Sequence, residues 1–200
     1  MISVVVFDLG NVLIPWDRRF LFSKLIEDPI ELDYFLDNVL TLAVNAKLDS
    51  GTSLDELSAD LAAEYPQYSD LIEAFRTRWI ETLGDPMDES VELLRRLQDR
   101  GVRCLALSNW GCDTFEQVQP VYPFLAWFDG RIISGYEGVV KPDPAIFNLL
   151  CSRYGVDPPE ALFIDDSSNN IAAASELGFE THLFTSPAEL ESDLMNRALL

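Results

Sequence analysis

The chain has 200 residues, with 14 basic and 34 acidic side chains and a formal net charge of −20. That balance disfavours a nucleic-acid binder, which needs a basic face for phosphate backbones, and disfavours docking on an anionic membrane surface. Hydrophobic residues make up 48% of the chain, enough for one compact domain or one domain carrying an insert, and no apolar run approaches the ~18–20 residues that span a bilayer.

The N-terminal Met1-Ile2-Ser3-Val4 has no basic region, and its apolar run ends at Asp8, which reads as a first strand rather than a secretion signal. Val4 to Phe7 is continuous and β-branched, as a strand buried on both faces should be. From about Pro15 to Gly84 no strand-like run occurs. Helical spacings such as Phe20, Leu21, Leu25, Ile26 and Leu54, Leu57, Leu61 are broken at Asp49-Ser50-Gly51-Thr52-Ser53 and at Tyr65-Pro66. This predicts a helical insert over 15–84, between a first core segment, 1–14, and a second, 85–200.

Strand and helix then alternate. A helix from about Glu89 stops at Gly101, and a strand follows at Cys104–Leu107. Another strand falls at Arg131–Ile133. Asp143 and Pro144 open a helix as N-cap and first residue, and Gly155 closes it. Ala161–Ile164 is a strand. A helix starts near Asn169 or Asn170 and ends at Gly178, Thr181–Phe184 is the last strand, and Ser186-Pro187-Ala188-Glu189 opens the last helix as a capping box. The order predicts an α/β fold, a Rossmann-like parallel sheet with helices on both faces.

Three cysteines, Cys104, Cys112 and Cys151, form no CxxC and no paired framework, as expected of reduced thiols in a cytoplasmic protein. His182 is the chain's one histidine and sits in an apolar stretch, which favours a structural role. A Ser-His-Asp triad or a multi-histidine zinc site is therefore not expected. Any chemistry must run on carboxylates, Ser/Asn, Lys and a metal.

Ligands of open parallel sheets bind beyond the carboxyl ends of the strands. The strand ends here read Phe7-Asp8-Leu9-Gly10-Asn11, Leu107-Ser108-Asn109-Trp110, Val140-Lys141-Pro142 and Ile164-Asp165-Asp166-Ser167. Singly, each is ordinary turn or cap chemistry. Together they bring Asp8, Ser108, Asn109, Lys141, Asp165 and Asp166 to one rim. Three carboxylates against one lysine repel an anionic substrate, since like charges ~4 Å apart cost on the order of 4 kcal/mol at an effective dielectric of ~20. Oxygen ligands without His or Cys point to Mg²⁺. With metal bound, a phosphate can meet Lys141 and the Ser108/Asn109 donors, with Asp8 facing the phosphorus as nucleophile.

These motifs, Asp8-Leu9-Gly10-Asn11-Val12, Ser108-Asn109, Lys141-Pro142-Asp143-Pro144 and Asp165-Asp166, resemble the haloacid dehalogenase superfamily in order and spacing over the whole chain, with 15–84 in the place of its helical cap. They most resemble the branch holding bacterial sugar-phosphate phosphatases, glucose-1-phosphate phosphatases among them, and the N-terminal domain of soluble epoxide hydrolases. The resemblance implies Asp8 as the phosphorylated nucleophile. It implies Mg²⁺ held by Asp8, the Gly10 carbonyl and Asp166 with Asp165 close by, and a phosphoryl group held by Ser108, Asn109 and Lys141. Small phosphorylated metabolites, sugar phosphates first, are the implied substrates. The rivals are 2-haloacid dehalogenation and a catalytically weak binding or regulatory module.

Many phosphatases of that superfamily carry an acid/base aspartate two residues after the nucleophile, where this chain has Gly10. Asp17 is a candidate substitute; its preferred alternative is a cap in Asp17-Arg18-Arg19-Phe20. With no substitute, easily displaced aryl and anomeric phosphates should be favoured over primary-alcohol phosphates. Trp110 is a candidate pocket wall, with Trp16, Phe20, Asn45 and Trp79 as further candidates from the insert. Arg18 or Arg19 is a candidate partner for a carboxylate or phosphate.

Overall fold

The computed structural model describes residues 2–200; Met1, where the first core segment was drawn to begin, lies outside the described residues. Five strands form one parallel sheet: β1 (Val4–Phe7), β2 (Arg103–Ser108), β3 (Gly130–Ile133), β4 (Ala161–Asp165) and β5 (Glu180–Leu183). Their order is β3-β2-β1-β4-β5, so the chain winds out on one side of β1 and then returns to start again on the other. The reversal lies at β1 and β4, whose carboxyl ends carry Asp8 and Asp165. That is the switch point at which open α/β sheets bind ligands.

Alternate residues of the central strands enter two separate cores, because strand side chains point alternately to opposite faces. Val5, Phe7, Cys104, Ala106, Leu162 and Ile164 pack on one face with Leu94 and Leu97 of α6 (Asp88–Asp99) and Leu190 and Leu194 of α11 (Pro187–Asn196). Val4, Val6, Leu105, Leu107 and Phe163 pack on the other with α9 (Pro144–Tyr154) and α10 (Ser168–Glu176). With both faces covered, β1 reads as the continuous apolar run seen in the sequence.

The segment after β1 carries α1 (Arg19–Phe22), α2 (Pro29–Asn38), α3 (Leu42–Asp49), α4 (Leu54–Glu64) and α5 (Ser69–Arg78), and no strand among the described residues. Its core is Phe22, Phe35, Leu57, Leu61, Ile72 and Phe75. The predicted stops hold. Asp143 accepts from Ala145 N at 2.8 Å, and Gly155 and Gly101 take the left-handed conformation that ends a helix. Three expectations shift. The helix placed from Asn169 or Asn170 starts at Ser168, and the run through Leu25 and Ile26 leaves the helix after Phe22. Only half of the capping box forms: Ser186 Oγ accepts from Glu189 N at 3.3 Å, but the Glu189 carboxylate turns to Thr185 Oγ. Two short helices had not been foreseen, α7 (Cys112–Val118) and α8 (Ser134–Glu137), each directly beyond a strand end.

Candidate active site

Asp8 leaves the sheet at the end of β1, only 7% exposed. Its Oδ1 accepts three hydrogen bonds or charged contacts: from Leu9 N at 2.7 Å, from Ser108 Oγ at 2.7 Å and from Lys141 Nζ at 3.0 Å. No described residue donates to Oδ2. One oxygen is thus held by the fold while the other is free for chemistry. Burial pushes the Asp8 carboxyl up to about 6, with Lys141 pulling down and Asp165 adding to the rise.

Lys141 is buried, and its ammonium reaches Asp165 Oδ2 at 2.6 Å and Leu107 O at 2.8 Å besides Asp8. Burial works against the charge, but Asp8 and Asp165 outweigh it and hold the lysine above its ordinary value. The Lys141 backbone is clamped by Asn109, whose Oδ1 accepts from Lys141 N at 2.8 Å and whose Nδ2 donates to Lys141 O at 2.9 Å. Asp165 is fully buried and saturated: besides Lys141, it accepts from Ser167 N at 2.8 Å and from Asn170 Nδ2 at 3.0 and 3.1 Å. Asp166 lies beside it with its surface exposed but its carboxyl partly desolvated at the site. That partial burial and the charge of Asp165 raise its pKa, partly offset by a hydrogen bond from Asn11. Asn11, at φ 54°, also accepts from Trp16 N at 2.9 Å and so ties the end of β1 to the next loop.

Carboxylate oxygens of Asp8, Asp165 and Asp166 lie within 4.8 Å of one another. An all-oxygen cluster of this size, with no sulfur or imidazole, fits a hard, oxygen-loving divalent cation such as Mg²⁺. The neighbouring Gly10 has an ordinary φ, and a Cβ there would meet nothing within 4 Å, so steric need does not explain the glycine.

A cavity of about 160 Å³ opens over this cluster, lined by Asp8, Gly10, Asn11, Ser108, Asn109, Trp110 and Asp166 from the sheet ends and by Trp16, Asn45, Asp49 and Trp79 from the segment after β1. Trp110 packs against Trp79 with ring centroids 5.9 Å apart. Phe20, expected in the wall, is instead 42% exposed, because α1 turns that side outward. Arg18 spends its guanidinium on the carbonyls of Leu36 and Leu40, and Arg19 pairs with Asp33 at 2.6 Å; neither lines the cavity. Asp17 accepts from Arg19 N at 2.8 Å, the cap reading, and is also absent from the lining. His182 lies elsewhere, its Nδ1 3.1 Å from Asp193 Oδ2.

Asp49 was not anticipated. Burial pushes its carboxyl up to about 7, against a hydrogen bond from Asn45, with Asp8 adding to the rise and Lys141 opposing it. A folded-state pKa above the unfolded value of about 3.8 means that the native state binds more protons between these values, so this group costs stability as pH rises through that window. Asp49→Asn removes the cost. Measured by denaturation in EDTA, the variant should gain on wild type by roughly 2–4 kcal/mol between about pH 4 and pH 8. A constant difference across that range contradicts the assignment.

A model of the haloacid dehalogenase-like hydrolases matches residues 2–178, and the chain belongs to that family. The chain is 29% identical over 199 residues to a D-ribitol-5-phosphate phosphatase of Bacteroides thetaiotaomicron, covering 90% of this chain and 91% of that one. Among solved structures it is similar to a predicted hydrolase of the same family from Porphyromonas gingivalis, at a TM-score of 0.76 and 25% identity over 100% of this chain and 98% of that one. It is also similar to a family enzyme from Bacteroides thetaiotaomicron in complex with magnesium and inorganic phosphate, at a TM-score of 0.71 and 25% identity over 92% of this chain and 95% of that one.

Proposed function

We propose that the protein is a Mg²⁺-dependent phosphatase that hydrolyses small phosphomonoesters through an aspartyl-phosphate on Asp8. The observation that carries this reading is the meeting of Asp8, Asp165 and Asp166 oxygens around the buried Lys141 at the sheet's switch point. Asp8, the Gly10 carbonyl and Asp166 would hold the Mg²⁺, which neutralises the carboxylates and the phosphoryl charge. Asp8 Oδ2, the oxygen without a donor, is the nucleophile. Ser108 and Lys141 fix Asp8 through its other oxygen; to hold a phosphoryl group together with Asn109, each of the two would turn a proton now given to Asp8 toward it. Asp165 locks Lys141 in place.

Residues 15–84 form the cap over a core of 1–14 and 85–200, and they contribute Trp16, Asn45, Asp49 and Trp79 to one wall of the site. A small cavity between these two parts of the chain suits a metabolite better than a phosphoprotein. Its mixture of indole walls with Asn and Asp suits a sugar or polyol phosphate, the class named for the Bacteroides relative. Three free cysteines suit the cytoplasm. The acidic cluster speaks against haloacid dehalogenation, since without a cation it repels that substrate's own carboxylate.

Hydrolysis of p-nitrophenyl phosphate with and without EDTA tests the reading: Mg²⁺-dependent release supports it, and no release, or release indifferent to EDTA, refutes it. The metal roles separate by variant. Asp166→Ala should raise the Mg²⁺ needed for half-maximal rate by roughly 10–100-fold, with rescue by excess metal. Asp165→Ala should leave that requirement nearly unchanged and instead cost roughly 1–3 kcal/mol of stability, because Lys141 and Asn170 lose a buried acceptor. Equal metal dependence in the two variants contradicts this division.

A further inference from the structure

We propose that Asp49, at the end of α3, is the catalytic acid/base that replaces the carboxylate missing at Gly10. The assignment rests on the phosphatase reading and deepens it. Asp49 lines the same cavity as Asp8, from the side of the helical segment, close enough for the charges of Asp8 and Lys141 to be felt at its carboxyl. Among the described residues its carboxylate meets one donor, Asn45 Nδ2, at 3.2 Å. The raised pKa of about 7 keeps a proton available near neutrality, as an acid that protonates a leaving group requires.

The backbone around Asp49 is anchored to the phosphate-binding loop. Ser134 Oγ, fully buried, donates to Asp49 O at 2.5 Å and accepts from Trp110 N at 3.0 Å, next to Asn109. Close approach at this seam is bought with glycine: a Cβ on Gly51, at φ +105°, would lie 3.0 Å from Gly135 O, and one on Gly135 would lie 2.7 Å from Trp110 O. Helix α3 is therefore pinned at the one end that faces the site. A solvated carboxylate at a helix terminus needs no such anchor.

In the first half-reaction Asp8 Oδ2 bonds to phosphorus as the ester P–O bond breaks. The leaving oxygen keeps the electron pair and takes the Asp49 proton, releasing the alcohol. In the second, Asp49, now a carboxylate, takes a proton from water as the water oxygen bonds to phosphorus. The bond to Asp8 breaks, freeing inorganic phosphate and restoring both carboxyl groups. With Asp49 as the acid, the condition under which primary-alcohol phosphates are disfavoured, the lack of a substitute for the carboxylate missing at Gly10, is not met.

Leaving-group dependence tests the role, because benzyl and p-nitrophenyl phosphate are similar in size but differ widely in how much their leaving oxygen needs a proton. Asp49→Asn, nearly isosteric and still able to accept from Asn45, should lower kcat/KM, which reports phosphoryl transfer to Asp8 and not the shared hydrolysis step, on benzyl phosphate by on the order of 10²–10⁴-fold and on p-nitrophenyl phosphate by less than about tenfold. Ser134→Ala, a change in a positioning residue, should show the same selectivity at smaller size. Asp17→Asn, outside the cavity, should leave both rates unchanged. Equal losses of kcat/KM on both esters, or no loss on benzyl phosphate, overturn the assignment while leaving the phosphatase reading standing. Failure of wild type to hydrolyse either ester with Mg²⁺ overturns both.

Discussion

Asp8→Asn abolishes turnover, by on the order of 10⁴-fold or more, while the protein stays folded. The amide keeps the shape of the carboxylate, and its oxygen can still accept from Leu9 N, Ser108 Oγ and Lys141, the three donors that now hold Oδ1. What disappears is the free oxygen that attacks phosphorus, because an amide nitrogen is not a nucleophile. Lys141 keeps Asp165 as its charge partner, so no buried ammonium is stranded. Thermal unfolding within a few degrees of wild type, together with loss of phosphate release, is the expected pair of results. Retention of more than a few per cent of the rate contradicts covalent catalysis by Asp8.

Lys141→Ala has the second large effect, on stability as well as rate. The ammonium is the counter-charge to two carboxylates that are themselves 7% and 0% exposed. Removing one partner of a buried ion pair costs on the order of 3–5 kcal/mol, because the remaining charge is left without compensation. Lys141→Met keeps most of the stem and so separates lost charge from lost packing. Both variants should lose several kcal/mol in denaturant titrations. Added Mg²⁺ should restore more stability to them than to wild type, because a cation that binds only the folded state neutralises the same carboxylates. A loss below about 1 kcal/mol in Lys141→Met would show that the triad of Asp8, Lys141 and Asp165 is not an electrostatic unit.

Much of the fold was legible because its signals are local. Val4–Phe7 declared a doubly covered strand by continuous apolar composition, and Asp143-Pro144 and Gly155 marked helix ends by backbone chemistry that needs no tertiary context. The strand-end residues were legible as a set because a parallel sheet sends every carboxyl end to one rim. Asp49 was not legible, because its role depends on where α3 docks. In the sequence, Asp49-Ser50-Gly51 is loop punctuation, and α3 buries little besides Leu48, so no strong stripe shows which side faces the core. The Ser134 bridge, across 85 residues of chain, and the cavity lining reveal it. Asp17 illustrates the converse: it follows the nucleophile closely in sequence, but the local spacing already favoured a cap, and its carboxylate is spent on Arg19 N. In the sequence Asn170 shares with Asn169 the reading of a helix start, whereas its side chain holds both oxygens of Asp165.

The most direct test of the mechanism is to trap the intermediate. Wild-type protein is incubated with a radiolabelled phosphomonoester and Mg²⁺, quenched in acid within a single turnover and digested, and the labelled peptide is sequenced. An aspartyl-phosphate mechanism predicts label on the peptide carrying Asp8, lost when EDTA is present from the start and absent from Asp8→Asn. Label on any other residue, or rapid hydrolysis in which no label reaches the protein, would contradict it.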